Sequence, residues 1–287
     1  MIKDKTIALN IQMPESLGDC LMATPAVKRL CETTKYPINL IVTESQFCIF
    51  KNFPGANLIT TKRDVPGYFI SLSGQMAYEA GLRLSKNTLL QTHHIDGFAN
   101  ILKVELDNHH LILGISDEET KQYKNNLIEM SGGKKTIICF PYALCCHCYK
   151  NEPCNKMIPF TIWAKTREYL ESLGYYVLFL SSNKENKNET TKEEIIGGNW
   201  KIGFPLIEIC QWLKECDCVI ALDSAGGHLA AALDCNIVHL NFDYKIEKIG
   251  LIHTRGKYYL IDKYDKPSLI TSEDIVCGVL RIMKSRN

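Results

Sequence analysis

The chain has no excess of either charge, no long apolar run and no glycine fingerprint of the usual dinucleotide-binding turn. Its 33 Lys and Arg face 32 Asp and Glu, so 33 − 32 leaves a formal charge of +1 across 287 residues. Without a Lys/Arg block there is no source for the counterion release on which nucleic-acid binding depends, which argues against DNA and RNA as partners. No apolar run approaches the roughly 18 to 20 residues that a membrane span needs. Met1-Ile2-Lys3-Asp4-Lys5 leads into strand-like sequence without the apolar stretch of a signal peptide, and the expectation is a cytoplasmic protein. No G-x-G-x-x-G follows the first strand of either half, which argues against a Rossmann dehydrogenase. What is present is ordinary for a globular protein: 46% hydrophobic and 23% charged residues. A chain of this length can bury about three quarters of its extended surface, in one large core or two small ones.

Thirteen cysteines are many for a cytoplasmic chain, and the odd count disfavours a complete disulfide framework. Cys139, Cys210, Cys216, Cys218, Cys235 and Cys277 lie in or beside apolar segments, where a free thiol behaves as a small hydrophobe. Cys145, Cys146, Cys148 and Cys154 are different, with C-x2-C followed by C-x5-C. That spacing suits thiolates around Zn or Fe in a structural site, with Cys146, His147 or a distant residue completing the set. The alternative is a loop of free thiols, because a second C-x2-C pair is absent.

Hydrophobic periodicity places strands at Thr6 to Ile11, Ile38 to Thr43, Asn57 to Thr61 and Tyr68 to Leu72, with helices beginning at Ala26 and spanning Gln75 to Leu84 and Gly97 to Leu106. This alternation is that of a parallel α/β sheet. Asp117 to Met130 reads as one amphipathic helix closed by Ser131-Gly132-Gly133, and the domain junction is expected there, giving domains 1–132 and 133–287. The same grammar then restarts: a strand from Lys135, a helix from Phe160 to Ser172, a strand from Tyr175 to Leu180, and a polar loop from Asn183 to Glu194. A helix at Leu206 to Lys214, strands at Cys218 to Leu222, Asn236 to Leu240 and Tyr258 to Ile261, and a last helix at Ser272 to Met283 with Ser272 as N-cap complete the reading. The last helix is free to pack back on the first domain.

Two turns carry candidate chemistry, since ligands of doubly wound sheets bind beyond the carboxyl ends of strands. After strand one, Gly18 permits close backbone approach and Asp19 offers a carboxylate able to accept a proton. Thr24-Pro25 fits an N-cap and first-turn pair, which leaves Asp19 outside the regular helix, or Asp19 is itself the cap. In the second half, Asp223-Ser224-Ala225-Gly226-Gly227-His228 links a buried strand to a helix starting at or near His228. Such a turn aims backbone N–H groups and a positive helix end at one point, which suits a diphosphate, or it is only a tight turn capped by Asp223 or Ser224. The adjacent His93 and His94 read as exposed loop residues.

Taken together, Leu17-Gly18-Asp19 with Thr24-Pro25-Ala26, and Asp223-Ser224 with His228-Leu229-Ala230-Ala231-Ala232-Leu233, resemble the paired motifs of the heptosyltransferase family, glycosyltransferase family nine. Lys156-Met157-Ile158-Pro159 is similar to the family's Lys-x-Trp-Pro, and Gly174-Tyr175-Tyr176-Val177 to its following strand. Ala225-Gly226 stands where the family usually has Gly-Pro, Ile158 where it has Trp, and Phe140-Pro141-Tyr142 where it has small residues. The resemblance implies an α/β GT-B fold, with two Rossmann-like doubly wound domains facing a cleft. The first would hold the acceptor and the second a nucleotide-diphosphate sugar, most simply of the ADP-heptose type. It implies inverting transfer to a hydroxyl of a saccharide, lipid-linked glycan or protein, as in lipopolysaccharide or other glycan assembly, with no cofactor required and the acceptor sometimes held at a membrane surface. Asp19 would be the base, and Lys156, Asp223, Ser224, Ala225, Gly226, Gly227 and His228 would bind the nucleotide sugar, with Asp223 orienting the loop. The altered loop and the cysteine cluster also fit an alternative, a sugar-nucleotide-binding or metal-binding module without transfer activity.

Overall fold

The computed structural model describes residues 8–59, 67–88, 93–123, 126–142, 158–181, 194–241, 254–263 and 269–284, with backbone only at 82–88 and 122. The chain divides into two compact units, one built on Met1–Glu119 and the other on Thr120–Ile246 and Gly250–Asn287. The division precedes the expected junction at Gly132. Leu127 is buried, and Asn126 Nδ2 donates to Glu208 Oε1 at 3.5 Å, so the segment before the glycines packs with the second unit.

In the first unit, β1 (Ala8–Gln12), β2 (Ile38–Ile41), β3 (Ala56–Ile59) and β4 (Gly67–Ser71) form a parallel sheet in the order β3-β2-β1-β4. Its register is marked by an asparagine ladder. Asn39 is the register partner of both Asn10 and Asn57; Asn57 Nδ2 donates to Asn39 Oδ1 (3.3 Å) and Asn39 Nδ2 to Asn10 Oδ1 (2.8 Å). Asn10 is wholly buried, so a one-residue slip would take its amide away from Asn39 and put it where Ile11 now packs.

The helix after β1 begins nine residues earlier than expected: α1 is Leu17–Thr33, and 26 − 17 = 9. Pro25 lies inside it and has no N–H for the carbonyl of Leu21. The Thr24 hydroxyl donates to that carbonyl at 2.7 Å and accepts the N–H of Ile112 at 2.9 Å. The Thr-Pro pair therefore repairs a helix interior rather than opening a helix. Then follow α2 (Glu44–Phe50), α3 (Gly74–Thr88) and α4 (His94–Leu102). His93 is not an exposed loop residue: it is 4% exposed and caps α4, its Nδ1 accepting from the N–H of Ile95 at 3.1 Å. The single helix expected over Asp117 to Met130 is broken into α5 (Asp117–Thr120), a 3-10 turn (Lys121–Tyr123) and α6 (Asn126–Ser131).

The second unit holds six parallel strands: β5 (Thr136–Phe140), β6 (Tyr176–Ser181), β7 (Asn199–Ile202), β8 (Cys218–Leu222), β9 (Ile237–Asn241) and β10 (Tyr258–Asp262), in the order β10-β9-β8-β5-β6-β7. β7 has no counterpart in the periodicity reading; its Asn-Trp-Lys-Ile alternates over only four residues, all half-buried. The helices are α7 (Phe160–Ser172), α8 (Leu206–Glu215), α9 (Ala225–Ala232) and α10 (Ser272–Lys284). α10 lies within this unit, burying Ile275, Val279 and Ile282 beside Trp163 and Val238. Its cap is Thr271 rather than Ser272: Thr271 Oγ1 accepts the N–H of Asp274 (3.1 Å), and Asp274 Oδ2 accepts that of Thr271 (3.2 Å). Trp163 meets Phe179 edge-on, and Phe179 stacks on Trp200 with centroids 4.9 Å apart. Among the described residues no helix is long and apolar enough to cross a membrane.

Candidate functional site

Each sheet has a switch point, where neighbouring strands send their connections to opposite sides; in the first unit it lies between β1 and β4, in the second between β5 and β8. Among the described residues, the candidates gather at these two places.

In the first unit the chain leaves β1 through Met13 to Ser16. Buried Gln46 on α2 grips that turn, its Nε2 donating to the carbonyls of Glu15 (2.9 Å) and Pro14 (3.2 Å). Ser16 is the N-cap of α1 and accepts the N–H of Asp19 at 3.4 Å. Asp19 is thus neither the cap nor outside the helix; it sits in the first turn, half-buried, one residue after buried Gly18. Its carboxylate packs against the backbone of Gly74, the first residue of α3, so tightly that a Cβ at Gly74 would stand 2.4 to 2.7 Å from Oδ2, Cγ and Oδ1. The next residue, Cys20, is wholly buried, and burial, reinforced by the Asp19 charge, pushes its thiol far above the ordinary range.

In the second unit β8 runs into Asp223-Ser224 and then directly into α9. Ser224 is the cap: its Oγ accepts the N–H of Gly227 at 3.4 Å, and its carbonyl accepts that of His228 at 3.0 Å. The helix starts at Ala225, three residues before the expected start at His228 (228 − 225 = 3), because the glycine pair continues helical geometry instead of forming a loop. The first turn of a helix leaves N–H groups without intrahelical acceptors, and here they lie on Ala225 and Gly226 at the switch point. His228 Nε2 lies 3.4 Å from Asp223 Oδ1, both side chains being nearly buried. Among the described residues His228 Nδ1 is buried with no hydrogen-bond partner.

Gly226 has a steric duty. A Cβ there would lie 2.3 Å from Cδ1, 2.5 Å from Cγ and 2.6 Å from Cε1 of Phe140, at the end of neighbouring β5. The two departures from the family pattern noted in the sequence, a bulky residue at 140 and a small one at 226, are thus one packing event. Beside them, buried His239 on β9 meets Tyr258, with Nδ1 and the phenol oxygen 2.6 Å apart. Burial first, then the charges of Asp223 and Asp262, hold the Tyr258 phenol well above its usual value. Tyr258 therefore keeps its proton, and phenol and ring share one short hydrogen bond.

The structure brings Asp223, Ser224, Ala225, Gly226, Gly227 and His228 onto one strand-to-helix turn, and Gly18 and Asp19 onto another. Lys156 and the cluster Cys145, Cys146, Cys148 and Cys154 lie outside the described residues. Among the described residues no group of three or more His, Cys, Asp or Glu could hold a metal ion. Gly74 and the His239–Tyr258 pair were not singled out for a site role by motif, whereas Phe140 was marked as a departure from the family pattern.

Comparison with known proteins bears on this arrangement. The family profile for glycosyltransferase family 9 (heptosyltransferase) matches residues 71–269. No curated protein matches the sequence. Among solved structures, the glycosyl transferase family 9 protein of Veillonella parvula DSM 2008 superposes with a TM-score of 0.74 at 15% identity, covering 99% of each chain. The E. coli ADP-heptose lps heptosyltransferase II gives 0.69 at 12% identity, covering 97% of this chain and 99% of its own. The dodecameric iron-containing heptosyltransferase TibC of enterotoxigenic E. coli H10407, solved with ADP-D-beta-D-heptose, gives 0.66 at 14% identity, covering 99% of this chain and 78% of its own. At these identities the likeness is one of fold.

Proposed function

Because the chain belongs to glycosyltransferase family 9, the heptosyltransferase family, it is a glycosyltransferase of α/β GT-B fold, and we propose that it moves a heptose or related sugar from an ADP-sugar to an acceptor hydroxyl with inversion. In this reading the first unit receives the acceptor and the second holds the nucleotide sugar. Asp19 takes the proton from the acceptor hydroxyl as its oxygen forms a bond to the anomeric carbon. The bond from that carbon to the diphosphate breaks on the opposite face, and its electron pair leaves with ADP. Positive charge on the sugar rises in the transition state while negative charge gathers on the diphosphate. The open N–H groups of the first turn of α9, the Ser224 hydroxyl, His228 and Lys156 answer that negative charge. Asp223, 3.4 Å from His228, orients its ring. The observation that carries this assignment is the Ser224-capped turn at the switch point, with a buried histidine in its first turn.

Calorimetric titration of ADP, GDP, UDP and CDP into wild-type protein and His228→Ala tests it. ADP should bind selectively, and His228→Ala should weaken it by about 1.5–3 kcal/mol, the value of a hydrogen bond to a charged group. Failure of every nucleotide to bind folded protein would refute the donor assignment. Cys145, Cys146, Cys148 and Cys154 are assigned to a structural Zn or Fe site, a thiolate set that either ion accepts. One structural relative is described as iron-containing, which supports the assignment. Metal analysis of protein purified without chelators should find near one equivalent, and a trace would dispose of it.

A further inference from the structure

We infer that Gly74 and His94 are positioning residues for Asp19: Gly74 by vacating the space its carboxylate fills, His94 by locking the helix turn that carries Gly74. The inference rests on the reading of Asp19 as the base. All three atoms nearest to a Cβ built on Gly74 are Oδ2, Cγ and Oδ1 of Asp19, at 2.4, 2.5 and 2.7 Å. Real Cβ contacts do not come that close, so any side chain at 74 must drive the carboxylate away. The backbone there is secured from three sides. Ser73 Oγ accepts the N–H of Met76 at 3.2 Å, closing the first turn of α3. His94 Nε2 lies 2.7 Å from the carbonyl of Gly74. A carbonyl only accepts, so Nε2 carries the proton, and the ring is braced by stacking on Phe98 with centroids 5.5 Å apart. One turn further along both helices, Gly97 lies against Ala77, where a Cβ would be 2.0 Å from the Ala77 carbonyl oxygen. The spacing is the same on each helix, 77 − 74 = 3 and 97 − 94 = 3, so α4 grips α3 by one hydrogen bond and one glycine contact, with the anchored turn facing Asp19.

A general base works only when its oxygen is held at the proton it takes, and a displacement of about 1 Å costs about a hundredfold in rate. Gly74→Ala should therefore lower kcat for ADP release from ADP-heptose, with water as acceptor, by about tenfold to a hundredfold, while ADP affinity stays unchanged. In the Asp19→Asn background the same substitution should cause no further fall, because the group it displaces no longer takes the proton. His94→Leu should lower kcat in the same way, His94→Gln should largely restore it through an amide donor, and Gln75→Ala on the exposed side of the same turn should leave it unchanged. A second readout needs no turnover: the side-chain carboxyl carbon resonance of Asp19, in protein labelled at aspartate, should move in Gly74→Ala and stay put in Gln75→Ala.

Wild-type kcat in folded Gly74→Ala beside an inactive Asp19→Asn would overturn the inference, as would losses that multiply in the double variant. If Gly74→Ala does not fold, the His94 pair decides, and equal rates for Leu and Gln refute the lock. Should Asp19→Asn turn over at the wild-type rate, the base assignment fails instead. The carboxyl resonance then reports separately whether Gly74 is the seat.

Discussion

Gly226 and Phe140 offer the sharpest quantitative test of the donor-side turn. A methyl at 226 would stand 2.3 to 2.6 Å from three ring carbons of Phe140, whereas carbon atoms rest about 3.5–4.0 Å apart. The ring must retreat by about 1 Å at the end of a strand paired on both sides, an overpacking that costs about 1–3 kcal/mol. Against this, Gly→Ala in a helix gains up to about 1 kcal/mol. Gly226→Ala alone should thus destabilise by about 0–3 kcal/mol, a range too wide to decide anything. The coupling is decisive. With Phe140→Ala the clash disappears and the helix gain remains, so the double-mutant cycle should return an interaction of about 1–3 kcal/mol. The chain's three tryptophans, Trp163, Trp200 and Trp212, all lie in the second unit, so urea unfolding followed by tryptophan fluorescence reads that unit. Additivity within about 0.5 kcal/mol would mean that the two residues do not touch, and the steric account of the turn would be wrong.

Three further outcomes follow from the same geometry. Thr24→Val removes the donor to Leu21 and the acceptor for Ile112, leaving two backbone groups unsatisfied; it should cost about 2–4 kcal/mol in chemical denaturation, and a loss below about 0.5 kcal/mol would refute the repair role. Burial holds the thiols of Cys20 and Cys139 far above their usual values and that of Cys31 at about 11; alkylation mapped by mass spectrometry at pH 8 should label exposed Cys277 and spare Cys20 and Cys139 until denaturant is added. The Glu119 carboxylate is held below the usual glutamate value, first by the N–H of Ser116 and then by Lys51 and the Ser116 hydroxyl. A depressed folded-state value adds stability above the usual glutamate range that is lost as pH falls through the lowered value. Glu119→Gln should therefore melt below wild type at pH 7, by about 1 kcal/mol or less for a half-buried group whose partner Lys51 is exposed, and the gap should close in acid; a gap independent of pH would contradict the ionic account.

Much of the architecture was legible because parallel α/β sheets write themselves locally. Buried strands such as Cys218–Leu222 are continuous apolar runs, and amphipathic helices such as Ser272–Lys284 repeat at helical spacing. Errors came where a local signal had two meanings. Pro25 is common at a helix start, and nothing near it in the chain reveals that the Thr24 hydroxyl will serve the orphaned carbonyl. The helix read across Asp117 to Met130 is broken, and its two ends pack in different surroundings, Glu119 bonded to Asn52 and Lys51 and Asn126 to Glu208. His93 reads as solvent-exposed in sequence, and is buried because its ring caps a helix.

The sequence alone determined the two α/β halves, the pair of motifs and the family, because each depends on residues close together in the chain. Tertiary structure decided what those motif residues touch. Asp19 finds its seat at Gly74, 55 residues away (74 − 19 = 55), and Gly226 makes room for Phe140 across 86 residues (226 − 140 = 86). Periodicity carries no information about such pairs. They are set where a parallel sheet brings the ends of strands distant in sequence side by side, and there a missing methyl group matters as much as a charge.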